Sequence, residues 1–321
     1  ILAGDEVVVS KAGEKSYGID RFFSSLYEKP ILGLSFFTLS LVSIEQRKAF
    51  PISVEQIIKP KEEKVKKIVE KPKASKNQPQ EETVKKKGGR PKGSKTRDKK
   101  EVNLTPDFLR IRRLVQDLLK KISKFLPLTY LVLDGYFGNN KAVVMARQLG
   151  LHLICKMRHD SALYIPYENP DPTRKSRRKY GEKINYSFIP ERFLKKSNIE
   201  DDIRTDIYQA QLLHKEYCQA LNVVIIVRTD IKTCHRTHAV LFSTDLNLSY
   251  DKLIDYYSLR FQIEFNYRDA KQFWGLEDFM NVGKTAVTNA ANLAFFMVSV
   301  SQVLLVHFRK FNPDFSVTDL K

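Results

Sequence analysis

The chain has 321 residues, 42% of them hydrophobic, and 55 Lys and Arg against 37 Asp and Glu, a formal charge of +18. That apolar content excludes a disordered protein, and the length accommodates one large domain with an insertion or two ordinary domains. The cationic excess calls for a polyanionic partner, with nucleic acid the commonest and an anionic membrane surface its rival.

In chain order, residues 1–11 (Leu2, Val7, Val8, Val9) predict a strand, and Gly33–Ile44 and Phe50–Ile58 predict two more, an antiparallel meander. From Lys59 to Lys100 aromatic residues vanish and 17 Lys or Arg face 6 acidic residues. Such a segment cannot bury a core, which predicts a disordered basic loop over 59–100. Pro106–Phe125 repeats apolar residues at helical spacing, with Asn103 or Thr105 placed to cap it. Tyr130–Asp134 predicts a short strand, Gly135–Asn140 a turn, Lys141–Leu149 a helix and Leu151–Lys156 another strand. This strand-helix-strand unit calls for parallel pairing.

The rhythm is lost over 158–245, apart from strand-like runs at Val223–Arg228 and His238–Ser243, which predicts a β-rich insertion subdomain. A helix is expected from Ser249, its N-cap, to Gly275, its C-terminal cap, followed by a last apolar helix over 285–309. Ala290–Phe308 is apolar enough to suggest a membrane span, but Asn292, Ser299, Ser301 and Gln302 interrupt it, so a buried core helix is expected. Cys155, Cys218 and Cys234 lie far apart without a C-x-x-C pair, which argues against disulfides and a thiolate zinc site and suits a reducing, cytosolic setting. Cys234-His235-Arg-Thr-His238 lacks a second ligand pair, so no structural metal is expected there. Nothing ahead of Asp5 resembles a signal peptide, and a start at Ile1 rather than Met marks the chain as a fragment.

The sharpest chemical pattern lies in the helix expected over 249–275. Tyr257, Arg260, Glu264 and Lys271 sit at offsets 0, 3, 7 and 14. At about 100° per residue they fall in one stripe about 60° wide. A solvated helix face would also group four polar side chains. The mixture, however, suits a phosphodiester: a carboxylate for a hard divalent cation, Arg and Lys for phosphate oxygens, and a phenol to hydrogen-bond one. A single Glu needs acidic companions from elsewhere in the chain. Asp134 ends an apolar strand where an unpaired charge is costly, although a turn or cap Asp would sit there too. Asp5 interrupts the run Leu2-Ala-Gly-Asp-Glu-Val-Val-Val, and is preferred to Asp20, which lies in a polar stretch.

The run Tyr257-Ser-Leu-Arg260-Phe-Gln-Ile-Glu264-Phe-Asn-Tyr-Arg-Asp-Ala-Lys271 resembles the Tyr-x2-Arg-x3-Glu-x6-Lys signature of DDE transposases of bacterial insertion sequences, specifically the insertion-sequence-4-like family. The resemblance extends to Leu133-Asp134-Gly135-Tyr136, to Gly4-Asp5 with Lys11 and Gly13, and to Phe242-Ser-Thr-Asp245. It implies an α/β, ribonuclease H-like mixed sheet flanked by helices, with a catalytic core in two parts, 1–157 and 246–321, around the insertion at 158–245. Asp5 on the first strand, Asp134 on the fourth and Glu264 on the late helix would be the catalytic residues and would hold two Mg²⁺ ions, Mn²⁺ standing in. Tyr257, Arg260 and Lys271 would position phosphates. The implied activity is metal-dependent strand cleavage at transposon ends followed by attack of the freed 3′-hydroxyl on target DNA. The implied partners are DNA and a second copy in a synaptic dimer, in the bacterial cytoplasm at the nucleoid and away from membranes.

Two features depart from the family. Some relatives stack a flipped base on a Trp in the insertion, whereas the only Trp here, Trp274, follows Glu264. Relatives also carry an N-terminal end-recognition domain, whereas four residues precede Asp5. In the basic segment, Gly88-Gly-Arg90-Pro91-Lys92-Gly93 resembles an AT-hook, which would place Arg90 and Lys92 in a minor groove, although a sequence-neutral tail on phosphates accounts for the same residues. Two other functions compete with the transposase: a non-catalytic DNA-binding remnant, and a stand-alone metal-dependent nuclease that hydrolyses without joining.

Overall fold

A computed structural model describes residues 1–24, 27–59, 98–168 and 179–320. The expected basic loop, with Arg90 and Lys92, lies almost entirely outside these residues.

The chain opens with β1 (Leu2–Ser10), β2 (Asp20–Ser24), β3 (Lys29–Ser43) and β4 (Lys48–Ile57). After α1 (Pro106–Ile122) come β5 (Tyr130–Leu133), a 3₁₀ turn Gly135–Phe137, α2 (Asn140–Gln148) and β6 (His152–Met157). Six further strands follow: β7 (Leu163–Pro166), β8 (Tyr180–Lys183), β9 (Leu194–Glu200), β10 (Ile203–His214), β11 (Leu221–Asp230) and β12 (Arg236–Ser243). The chain closes with α3 (Tyr250–Leu259), α4 (Gln262–Gln272) and α5 (Lys284–Phe308).

The described strands form one large mixed sheet, in which β3 is antiparallel to β1, β1 is parallel to β5 and β5 is parallel to β6. β4 and β2 both pair with β3, and β12, β11 and β10 continue the sheet antiparallel from β6. The strands of 158–245 thus extend the central sheet. The short β2 makes Asp134 follow the fifth strand, where the fourth was expected.

Both faces of the central strands are covered, which explains their consecutive apolar residues. Alternation sends Leu2, Leu131, Leu133, Leu153 and Cys155 toward α1 and α2, and Ala3, Val7, Val132 and Ile154 toward α3, α4 and α5. Pro106 in the first turn of α1, with Asp107 there and Lys120 and Lys121 in its last turn, suits the helix dipole.

Two expected helices differ in form. The helix predicted as continuous from Ser249 to Gly275 divides at Arg260-Phe261 into α3 and α4. Around the junction Arg260, Phe261, Ile263 and Glu264 donate to the third carbonyl back, at 3.0–3.2 Å, a tighter winding than the α-helix. Gly275 does take the left-handed conformation that ends the segment, with φ +72°. The last helix is buried on one face only. Val287, Ala291, Ala294, Phe295 and Val298 face the core, whereas Leu293, Phe296 and Val303 are about 60% exposed. Among the described residues α5 is the one helix long and apolar enough to cross a membrane by length and composition.

Candidate active site

The register of β1 against β5 sets Gly4 beside Leu133. The next residue of each, Asp5 and Asp134, therefore stands level on neighbouring strands roughly 5 Å apart. Alternation turns both toward the α3–α5 layer, where Val7 and Val132 also pack. The first turn of α4 carries Glu264 over the same place.

Arg260, at the α3–α4 junction, lies among these three acids with its side chain 12% exposed. Its Nη1 donates to Asp5 Oδ2, and its Nη2 stands 3.7 Å from Asp134 Oδ1 and 3.7 Å from Glu264 Oε1. Its Nε is buried and has no hydrogen-bond partner. The Tyr257 ring lies 5.9 Å from the guanidinium carbon.

Burial pushes the Asp5 carboxyl up to about 6; Arg260 and the Glu6 N–H oppose the shift, and repulsion from Asp134 and Glu264 adds to it. Burial also raises Glu264, against Arg260 and with help from Asp134. Burial alone would lower Arg260, but attraction to Asp5 and Asp134 reverses this and raises it. The Tyr257 phenol is raised, chiefly by burial.

Of the four helix residues singled out by spacing, the structure gathers Tyr257, Arg260 and Glu264 but not Lys271. Lys271 Nζ donates to the Val8 carbonyl at 3.1 Å and pairs with Glu277 at 2.9 Å. Val8 lies three residues beyond Asp5, about 10 Å along the strand. Asp20 is exposed at the start of β2, where it accepts from the Arg21 N–H at 2.6 Å. Trp274 packs against the α3–α5 core with its indole nitrogen buried. Lys11, noted beside Asp5 in the sequence, donates to the Glu277 and Phe279 carbonyls at 2.7 and 2.8 Å and ties β1 to the chain after α4.

The loop behind Asp134 is held by residues that no sequence pattern marked. Cys155 Sγ donates to the Asp134 carbonyl at 3.0 Å, and Tyr217 Oη donates to the Gly138 carbonyl at 2.6 Å. Both partners lie far along the chain, so no local spacing signals them. The Asn139 side chain caps α2 by accepting from Lys141 and Ala142 N–H groups.

The three carboxylates offer hard oxygen donors, which fit a divalent cation such as Mg²⁺. Burial and repulsion raise the Asp5 and Glu264 carboxyls, which favours their protonated forms, and Arg260 opposes both shifts. As they stand, no group of three or more His, Cys, Asp or Glu among the described residues is close enough to hold a metal ion. Arg260 occupies the space between them, so a cation there requires its guanidinium to withdraw.

The chain is therefore a mixed α/β protein, its large sheet flanked by helices, with an acidic cluster that joins the middle of β1, the end of β5 and the start of α4. A model of the DDE superfamily endonuclease family matches residues 1–214 of 321, and the chain belongs to that family. Membership makes it a DNA-acting enzyme of the nuclease and transposase kind, a class that generally uses divalent metals. The matched span includes Asp5 and Asp134 and ends before Glu264. No curated protein matches the chain.

Proposed function

We propose that the protein is a DNA transposase of the insertion-sequence-4-like kind, cleaving strands at transposon ends and joining the freed 3′-hydroxyl to target DNA. The observation that carries this reading is the convergence of Asp5, Asp134 and Glu264, from three remote elements, on the single guanidinium of Arg260. Strand order supports a ribonuclease H-like core, since β4, β3 and β1 run antiparallel and β5 and β6 then run parallel to β1. The division into core (1–157 and 246–321) and β-rich insertion (158–245) goes with that reading, as do a synaptic pair of copies and a cytoplasmic site of action.

In this mechanism Asp5, Asp134 and Glu264 would hold two Mg²⁺ ions, or Mn²⁺ in their place. The ions supply Lewis-acid stabilisation of the charge that builds on the phosphate. Arg260, displaced from the carboxylates, turns its two-pronged donor set to the non-bridging phosphate oxygens, a geometry a lysine cannot offer. Tyr257, beside it, orients the same phosphate through its hydroxyl, which stays protonated because burial raises its pKa. Lys271 meets the strand further along β1 once released from Glu277. The attacking water, and later the 3′-hydroxyl, enters in line with the leaving oxygen.

The test is incubation of the purified protein, with Mg²⁺, on labelled transposon-end duplex and on plasmid. The transposase reading expects strand-joined products that disappear, with cleavage, in Asp134→Asn and Glu264→Gln. The family description as an endonuclease favours one second reading, hydrolysis alone. Mg²⁺-dependent nicks without joined products would select it. DNA binding with no strand chemistry at all would rule out both and leave a non-catalytic remnant.

A further inference from the structure

Lys156 is exposed on β6, the strand next to the one that ends at Asp134. Leu133 pairs with Cys155, so the residues that follow, Asp134 and Lys156, stand level. Ile154 packs in the α3–α5 layer, and alternation turns Lys156 to the same side, the side of the acids. Its stem passes Gly135, where an added Cβ would lie 3.5 Å from the Lys156 Cβ and 3.8 Å from its Cδ. Among the described residues the Lys156 ammonium has no ion-pair or hydrogen-bond partner.

From the acids this face of the sheet stays open in one direction. On one side α4 lies over β1 and β4, and α5 over β4. Toward β9, α3 covers the level of Leu241 and Val224, but the levels beyond the ends of β5 and β6 are uncovered. Register places Arg228 there, beside Thr237 and Thr205, and Lys196 beside Ile207. Arg228 and Lys196 are exposed and, like Lys156, have no ion-pair partner among the described residues. Solvated cations are common in a chain with 55 Lys and Arg. The reverse face, however, neutralises its own: Arg204 is paired with Asp206 at 3.0 Å. On the open face the strands carry carboxylates only at their turn ends, Glu200 and Asp230, which accept from Asn198 and from the Lys232 and Thr233 N–H groups.

We infer that this open face, running from β6 onto the strands of 158–245, is a docking surface for the DNA backbone. Lys156 meets a phosphate beside the one at the acids, and Arg228 and Lys196 meet phosphates farther along. The inference rests on the DNA-cleaving reading above for its ligand. By strand spacing and rise, Arg228 stands roughly 20 Å from Asp134, a span of about six base pairs of duplex. Cations without an internal partner neutralise phosphates, and so release DNA counterions, without first breaking an ion pair.

The test titrates a fluorescein-labelled duplex with the full chain in EDTA, over a range of salt concentrations. Wild type is compared with Lys156→Gln, Arg228→Gln and the double variant. Lys121→Gln removes an exposed charge from α1, across the sheet, as control, and near-ultraviolet dichroism checks the fold. Each single variant should bind several-fold more weakly and lower the salt slope by about 1, and the double variant should lower it by about 2. Lys121→Gln should match wild type. A double variant that matches wild type, or a Lys121→Gln loss as large as that of Lys156→Gln, overturns the docking face. Adding Mg²⁺ to the wild-type complex tests the DNA-cleaving reading separately. Position-specific loss of binding without cleavage sinks that reading and leaves a DNA-docking face, whereas cleavage with an unimpaired double variant sinks the docking face alone.

Discussion

Arg260 donates to Asp5 across 255 residues of sequence, and the same guanidinium faces Asp134 and Glu264. One cation thus holds together β1, the end of β5 and the start of α4 in the metal-free protein. Arg260→Gln leaves three facing acids without a counter-ion. It should lower the unfolding free energy by about 3 kcal/mol, the cost of stripping a partner from a largely buried pair. Urea denaturation in EDTA measures this. Mg²⁺ should raise the stability of the variant more than that of wild type. A variant as stable as wild type would show that the cluster does not need the guanidinium.

Asp5 retains its proton up to about pH 6 when folded, against an ordinary value of 3.8. Between those values the folded chain binds more protons than the unfolded one, so stability falls as pH rises through the window and stays lower above it. Burial outweighs the attraction of Arg260 in setting this shift. Asp5→Asn should therefore stabilise the metal-free protein at pH 7 by roughly 2 kcal/mol, and should flatten its stability between about pH 4 and 6. Thermal melts across that range decide the matter, and a less stable Asp5→Asn protein at pH 7 contradicts it.

Gly138 has no room for a side chain, because the obstacle to its Cβ is the backbone carbonyl of Lys156. Gly138→Ala must move the turn that follows Asp134 or the edge of β6. The expected cost is about 2 kcal/mol. Cleavage should fall further than stability accounts for, since Asp134 moves with the turn. A melting temperature equal to wild type would mean that the turn yields freely.

Asn222 is 1% exposed on β11 and donates to the Asp245 carbonyl at 3.0 Å and the Leu248 carbonyl at 2.7 Å, while accepting from Gln209 at 2.9 Å. These bonds fix the segment that leads into α3 and hence to Arg260. Asn222→Ala strands the Asp245 carbonyl, while Gln209 still donates to the Leu248 carbonyl at 2.8 Å, for an expected loss of about 2 kcal/mol. Hydrogen exchange should quicken over residues 245–249 before the rest of the chain. Unchanged protection there would assign the ordering of this segment to other contacts.

Much of the core was legible in the sequence because β1, β5 and β6 are covered on both faces, so they are rich in consecutive apolar residues. The long β10 was not, since Thr205, Asp206, Gln209 and Gln211 break any simple alternation and Asp206 is satisfied by Ser197 and Arg204, across and along the sheet. The half-exposed face of α5 was equally hidden, because composition reports how apolar a helix is and not how many neighbours cover it.

By itself the sequence singled out Asp5 and Asp134 as charges in costly places, and Tyr257, Arg260, Glu264 and Lys271 as one spaced stripe on a helix. Only the tertiary structure decided that Arg260 stands among the acids while Lys271 pairs with Glu277. The physical reason is one of range. Periodicity and propensity act over a few residues, whereas the meeting of these side chains depends on the parallel register of β1 with β5 and on a tightened turn between α3 and α4.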